Sequence, residues 1–267
     1  MKAIMLAAGV GRRLYGDDYD QPPKALLNFG GKTLLSRHIE VLQDNGVDEL
    51  ILVLGHRKEE ILAEAVAIAG KNYIRWFHNP RYRGGAVLSL WTAREVLRSG
   101  EDVLFMDADV LYHPELIGRL IHSAHQDCFL FDSDIEPGEE PVKLCIRDGV
   151  PVEFGKKISG DFDAVGEWPG FLKMSPRIAE LVADACDAFV EEGRLEATYE
   201  EAIRRVVLAE PDGAFGYEDI SDVPWIEIDF PADLLRAENH ILPRINEMAA
   251  ETEDGAESPA PSSISAS

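Results

Sequence analysis

A chain of 267 residues with 46% hydrophobic content can bury one large core and is too short for two full domains. A formal net charge of −23 repels phosphate backbones and anionic bilayers, which excludes broad contact with nucleic acid or a membrane surface. Cys128, Cys145 and Cys186 are odd in number and without a CxxC pair, so they read as reduced core thiols of a cytoplasmic protein rather than a zinc site or disulfide framework. No apolar run approaches the ~18 residues of a membrane span, and Met1-Lys2 leads straight into a strand, so neither a signal peptide nor a membrane span is expected.

Short apolar runs alternate with segments of helical period. In chain order, the pattern predicts a strand at Lys2–Ala7, a helix at Leu34–Asn45, a strand at Glu49–Leu54, a helix at Lys58–Ala69 and a strand at Tyr73–His78. A helix at Ala86–Arg98, a strand at Asp102–Met106 and a helix at Pro114–His125 follow. Such alternation implies a mostly parallel sheet covered on both faces, with ligands at the carboxyl ends of its strands. After residue 127 the rhythm changes. A strand is expected at Cys128–Phe131, a hairpin around Asp148-Gly149, and extended chain from Val165 to Met174. Helices at Pro176–Glu192 and Thr198–Leu208, strands at Ala214–Ile220 and Trp225–Ile228, and a last helix at Pro231–Ala249 complete the pattern. The expected organisation is one domain over residues 1–249, with a hairpin region at about 135–175, and a disordered acidic, Ser/Pro-rich tail at 250–267.

Three stretches carry candidate chemistry. In "MLAAGVGRRLYGDDYDQPPKALL", residues 5–27, glycines after the first strand free backbone N–H groups for a phosphate, and Pro22-Pro23 stiffen the loop that presents Lys24. It is neither a Walker loop nor a GxGxxG fingerprint. In "VLFMDADVLYHP", Asp107 and Asp109 stand at the end of a strand, where carboxylates can hold a hard cation or merely form a turn. In "WIEIDFPADLLRA", Glu227 and Asp229 share one strand face, and Asp229 also suits a helix cap. If the two strands end side by side, three carboxylates converge and a cation relieves their repulsion.

The combination LAAGxGxRL followed by PKAL resembles the nucleotidyltransferases that join a nucleoside triphosphate to a sugar phosphate or a small phosphorylated alcohol, and the likeness extends over about residues 1–246. The fold this implies is a Rossmann-like three-layer α/β/α arrangement, with a mostly parallel mixed sheet and a small β-hairpin insertion. The resemblance implies that Leu6, Ala7, Ala8, Gly9, Gly11, Arg13 and Ser89 bind the nucleotide, that Arg13 and Lys24 act on the phosphates, and that Asp109 and Asp229 hold Mg²⁺ with Asp107 and Glu227 close by. "GEWPGFLKMSP", "YEEAI" and "WIEID" resemble the short cytidylyltransferases for phosphocholine, aminoethylphosphonate or inositol phosphate, which implies CTP as the donor. Lys143, Lys156, Glu167, Trp168, Tyr199 and Trp225 are the expected acceptor contacts. Aromatic faces beside carboxylates suit an ammonium, so the expected acceptors are phosphocholine, phosphoethanolamine or 2-aminoethylphosphonate, with inositol-1-phosphate or a sugar-1-phosphate as alternatives. A catalytically silent nucleotide-binding regulatory module is the reading from another class, and a dehydrogenase, lacking GxGxxG, stands far behind. Expected partners are small molecules, with a homodimer left open as the assembly.

Overall fold

A computed structural model describes residues 1–134 and 141–256. The chain opens with β1 (Lys2–Ala7), one turn of helix α1 (Arg12–Tyr15), a 3-10 turn at Lys24–Leu26 and a small pair, β2 (Asn28–Phe29) and β3 (Lys32–Thr33). Then come α2 (Leu34–Asp44), β4 (Glu49–Leu54), α3 (Lys58–Ala69), β5 (Ile74–His78), α4 (Val87–Thr92), α5 (Arg94–Leu97), β6 (Val103–Asp107), β7 (Val110–Tyr112), α6 (Glu115–His122) and β8 (Cys128–Phe131). Strands β9 (Lys143–Arg147), β10 (Val150–Gly155), β11 (Ala164–Glu167) and β12 (Phe171–Met174) precede α7 (Pro176–Glu191) and α8 (Tyr199–Ala209). The described chain closes with β13 (Gly216–Asp219), β14 (Trp225–Glu227), α9 (Pro231–Arg236), a π-helical segment at Ala237–Ile241 and α10 (Leu242–Ala256).

Local signals place the helix starts. The Thr33 and Ser175 hydroxyls accept the first free N–H groups of α2 and α7, and a Thr198–Glu201 capping box opens α8. The single helix expected over Ala86–Arg98 is two short ones, because Ala93 leaves helical geometry at φ −92° and ψ 8°. The last helix runs to Ala256 through its π-helical segment, so the boundary expected at 249 falls inside α10. Residues 257–267 of the expected tail and 135–140 of the expected hairpin region lie outside the described residues.

The central sheet has the order β13-β8-β12-β6-β1-β4-β5, and only β12 runs against the rest. It is therefore mostly parallel and mixed, with a core on each face. Phe105, Phe129 and Leu172 pack toward α4, α5, α7 and α8, while Met5, Leu52 and Met106 pack toward α2, α3 and α6. Strands β9, β10 and β11 form a separate antiparallel sheet, which contains the expected hairpin. A third cluster of Leu14, Phe29, Leu111, Ile226, Ile228 and Ile245 ties the opening helix, the antiparallel β7–β14 pair and α10 together. Register puts Leu6 of β1 beside Asp107 of β6, so the opening loop and the first acidic pair leave the sheet at adjacent points. Among the described residues no helix is long and apolar enough to cross a membrane.

Candidate active site

The loop after β1 turns back at Gly11, whose φ of +68° favours glycine, and a Cβ there would stand 3.0 Å from the Tyr15 ring. The Gly11 carbonyl accepts the N–H groups of Leu14 and Tyr15, which starts α1 and projects Arg12 and Arg13. Pro22-Pro23 lead into the 3-10 turn, so Lys24 re-enters with its side chain only 14% exposed. Its Nζ donates to Asp109 Oδ2 at 2.9 Å and Asp229 Oδ1 at 2.7 Å. Burial disfavours that ammonium charge, but the two carboxylates outweigh the cost and raise its pKa above the ordinary lysine value. Arg13, half exposed, pairs with the other Asp229 oxygen at 2.8 Å.

The β7–β14 pair explains why residues 120 apart converge. Val110 is in register with Glu227, and the next N–H, from Ile228, donates to the Asp109 carbonyl at 2.9 Å. Asp229 is then fixed from behind, since Asp233 Oδ2 accepts the N–H groups of Asp229 and Phe230 at 2.9 and 2.7 Å. Carboxylate oxygens of Asp109, Glu227 and Asp229 lie within 4.8 Å of one another, an all-oxygen donor set that fits a hard divalent cation. Desolvation and the charges of Asp109 and Asp229 push the Glu227 carboxyl above the usual range. Its exposed side, open to water, tempers that rise.

Asp107 does something else. The Tyr199 hydroxyl donates to its Oδ2, and burial with the charge of Asp109 raises its carboxyl well above the ordinary range. The contact needs Gly170, because a Cβ there would stand 2.6 Å from Asp107 Oδ2. Beside Tyr199, on the first turn of α8, Glu200 is only 9% exposed, and its Oε2 has no hydrogen-bond partner among the described residues.

These groups line one cleft of about 450 Å³. It brings together Leu6, Ala7, Ala8, Gly9, Gly11, Arg13, Lys24, Ser89, Asp107, Asp109, Glu227 and Asp229, and from the expected acceptor set Lys156, Glu167, Trp168 and Tyr199. Lys143, at the start of β9, is not among the lining residues, and Trp225 lines an adjoining 250 Å³ pocket with its indole N–H on Asp132 at 2.7 Å. Trp168 is chiefly a core residue, 4% exposed, stacked near Phe105 and donating to the Phe171 carbonyl. Trp91 stands outside the lining, with Arg94 over its ring at 4.0 Å, and Tyr217 packs on Phe131. Sequence reading missed Glu200, because "YEEAI" shows two glutamates at a helix start and only the phase of α8 against the cleft separates them.

The profile of the MobA-like NTP transferase domain matches residues 3–154. A CMP-5'-(3-aminopropyl)phosphonate synthase of Streptomyces rubellomurinus is 30% identical over 91% of this chain, which spans 39% of that protein's length. A CTP:phosphoglutamine cytidylyltransferase of Campylobacter jejuni is 25% identical over 88% of this chain and 98% of its own. Among solved structures, the inositol-1-phosphate CTP transferase of T. maritima superposes with a TM-score of 0.71 at 20% identity, covering 92% of this chain and 95% of the other. That last likeness carries the fold, a Rossmann-like nucleotidyltransferase arrangement.

Proposed function

Because this chain belongs to the MobA-like NTP transferase family, we propose that it transfers CMP from CTP to a small phosphorylated or phosphonylated amino alcohol and releases pyrophosphate. The observation that carries the reading is the meeting of Lys24 and Arg13, from the opening loop, with Asp109 and Asp229, from two distant strands, in one cleft. The names of relatives acting on an aminopropylphosphonate and on phosphoglutamine support CTP as donor and a nitrogen-bearing acceptor. Phosphocholine, phosphoethanolamine and 2-aminoethylphosphonate are the acceptors of that kind.

In the reaction, an anionic oxygen of the acceptor attacks the α-phosphorus of CTP. The bond from that phosphorus to the bridging oxygen breaks, and its electron pair leaves with pyrophosphate. The attacking oxygen is already charged near neutral pH, so no protein base is needed; alignment and charge screening are. Gly9 and Gly11 leave room for the triphosphate, and Ser89, steadied by the Asn79 amide at 3.0 Å, borders the nucleotide side. Arg13 draws charge toward the leaving pyrophosphate, and Lys24 grips a phosphate at the reacting centre. Asp109 and Asp229 hold Lys24 in place and, with Glu227 beside them, are the residues that would hold Mg²⁺. Bound there, Mg²⁺ supplies screening of the mutually repelling phosphate oxygens. Three buried free thiols agree with a cytoplasmic setting.

The test is pyrophosphate release with each of the four nucleoside triphosphates and Mg²⁺, against a panel of phosphocholine, phosphoethanolamine, 2-aminoethylphosphonate, inositol-1-phosphate and glucose-1-phosphate. Turnover restricted to CTP and a nitrogen-bearing acceptor is expected. Preference for inositol-1-phosphate would move the assignment to the alternative acceptor class. Nucleotide binding without turnover on any pair would make the protein a regulatory module.

A further inference from the structure

The acceptor side of the cleft holds a carboxylate that the fold itself does not use. Glu200 is the second residue of α8, where a negative charge gains from the helix dipole whether or not it is buried. The capping task falls to its neighbour: Glu201 accepts the Thr198 N–H and pairs with Arg194 while half exposed. Glu200 instead points the other way, nine-tenths buried in the cleft lining, with Oε2 meeting no donor and no cation bonded to it among the described residues. Burying an acceptor oxygen without a partner is unfavourable, and more so when it is charged, so its persistence points to a ligand that completes it. What the oxygen lacks is an N–H donor carrying positive charge.

Resting on the CMP-transfer reading above, we infer that Glu200 is the specificity contact for a primary ammonium on the acceptor and selects it over a quaternary one. A trimethylammonium brings charge but no N–H, so it leaves Oε2 unsatisfied; it is held best by an open cage of aromatic faces. Here Trp168 spends its ring on packing, with Phe105, Phe154 and Tyr199 around it. The acceptor class is therefore an aminoalkyl phosphate or phosphonate.

The experiment compares kcat/KM of the wild type and Glu200→Gln, with CTP and Mg²⁺, on phosphoethanolamine, phosphocholine and n-propyl phosphate, the isostere that lacks the ammonium. The wild type is expected to prefer phosphoethanolamine to both others by roughly 100-fold, the scale of one hydrogen bond to a charged group. In Glu200→Gln that preference collapses through KM for phosphoethanolamine, while n-propyl phosphate is used as before and the melting temperature stays level or rises. An equal fall on all three acceptors, no change on any, or a wild-type preference for phosphocholine overturns the inference while leaving CMP transfer standing. Absence of turnover on every acceptor overturns both readings.

Discussion

The two halves of the cleft handle charge in opposite ways. Around the opening loop, Lys24 bridges Asp109 and Asp229, and Arg13 takes the remaining Asp229 oxygen. Around the start of α8, and among the described residues, the Asp107 carboxylate meets only the Tyr199 hydroxyl and Glu200 Oε2 meets no donor. Six acidic and four basic side chains line the cleft as a whole, so the imbalance belongs to the half around α8. The difference teaches that one half carries lysine and arginine partners for its two aspartates, while the other leaves a buried carboxylate oxygen without a donor among the described residues.

The strongest way to break this comparison is to remove the bridge. Lys24→Met is expected to lower kcat/KM by about 100- to 1000-fold, the usual loss when a charge-stabilising donor is taken from a reacting centre. It also leaves two carboxylates facing each other, at about 3 kcal/mol of stability that added Mg²⁺ restores in part. Activity within tenfold of wild type, or a melting temperature indifferent to Mg²⁺, contradicts the bridging role.

The second prediction concerns the support under the balanced half. His38 is fully buried, with Nε2–H donating to the Ala108 carbonyl at 3.3 Å, which leaves Nδ1 to accept the Tyr112 hydroxyl at 2.8 Å. Burial lowers its pKa from 6.5 to about 4. An unfolded chain takes up this proton near 6.5 and the folded one only near 4, so the unfolded state binds more protons within that window. Stability from this group is whole above pH 6.5 and is lost, by about 3 kcal/mol, as the pH falls toward 4. Denaturant melts at pH 7 and 4.5 should show the drop, and His38→Gln should flatten it; an unchanged slope in the variant refutes the assignment.

Gly170→Ala perturbs the other half. Its Cβ would meet Asp107 Oδ2 at 2.6 Å, at a backbone φ of +93° that alanine resists. The expected cost is about 2 kcal/mol of stability. KM for the acceptor should rise more than KM for CTP, and the reverse order would place Asp107 on the nucleotide side. The smallest effect is expected from Arg57→Ala. Arg57 donates at 2.6 Å to the carbonyls of Asp20 and Gln21, and so pins the acidic "GDDYD" stretch of the opening loop. Released, that stretch should cost about threefold in KM for CTP, the scale of an exposed charged hydrogen bond.

Much of the balanced half was legible in the sequence. Lys2–Ala7, Glu49–Leu54, Lys58–Ala69 and Cys128–Phe131 stand at the predicted bounds, because uninterrupted apolar runs and a clear helical period leave little choice. The resemblance of the loop motif and of the two acidic stretches to nucleotidyltransferases named Arg13, Lys24, Asp109 and Asp229 before any geometry. What stayed hidden depended on contacts distant in sequence. The sequence pattern assigns Val110–Tyr112 to no strand, and the pairing of this β7 with β14 is what makes the carboxylates converge. Trp168 does line the cleft as expected, but its indole N–H is spent on the Phe171 carbonyl, a contact that the sequence does not show. Glu200 and Glu201 differ only in which way one turn of helix faces.

The most direct test of the whole account is ³¹P NMR of CTP and phosphoethanolamine incubated with Mg²⁺ and the wild-type protein, with Lys24→Met as control. The account predicts equal growth of pyrophosphate and a CMP-linked diphosphate diester in the wild type, and neither at a comparable rate in the variant. Intact CTP in the presence of demonstrated nucleotide binding, or equal product in the variant, would contradict it.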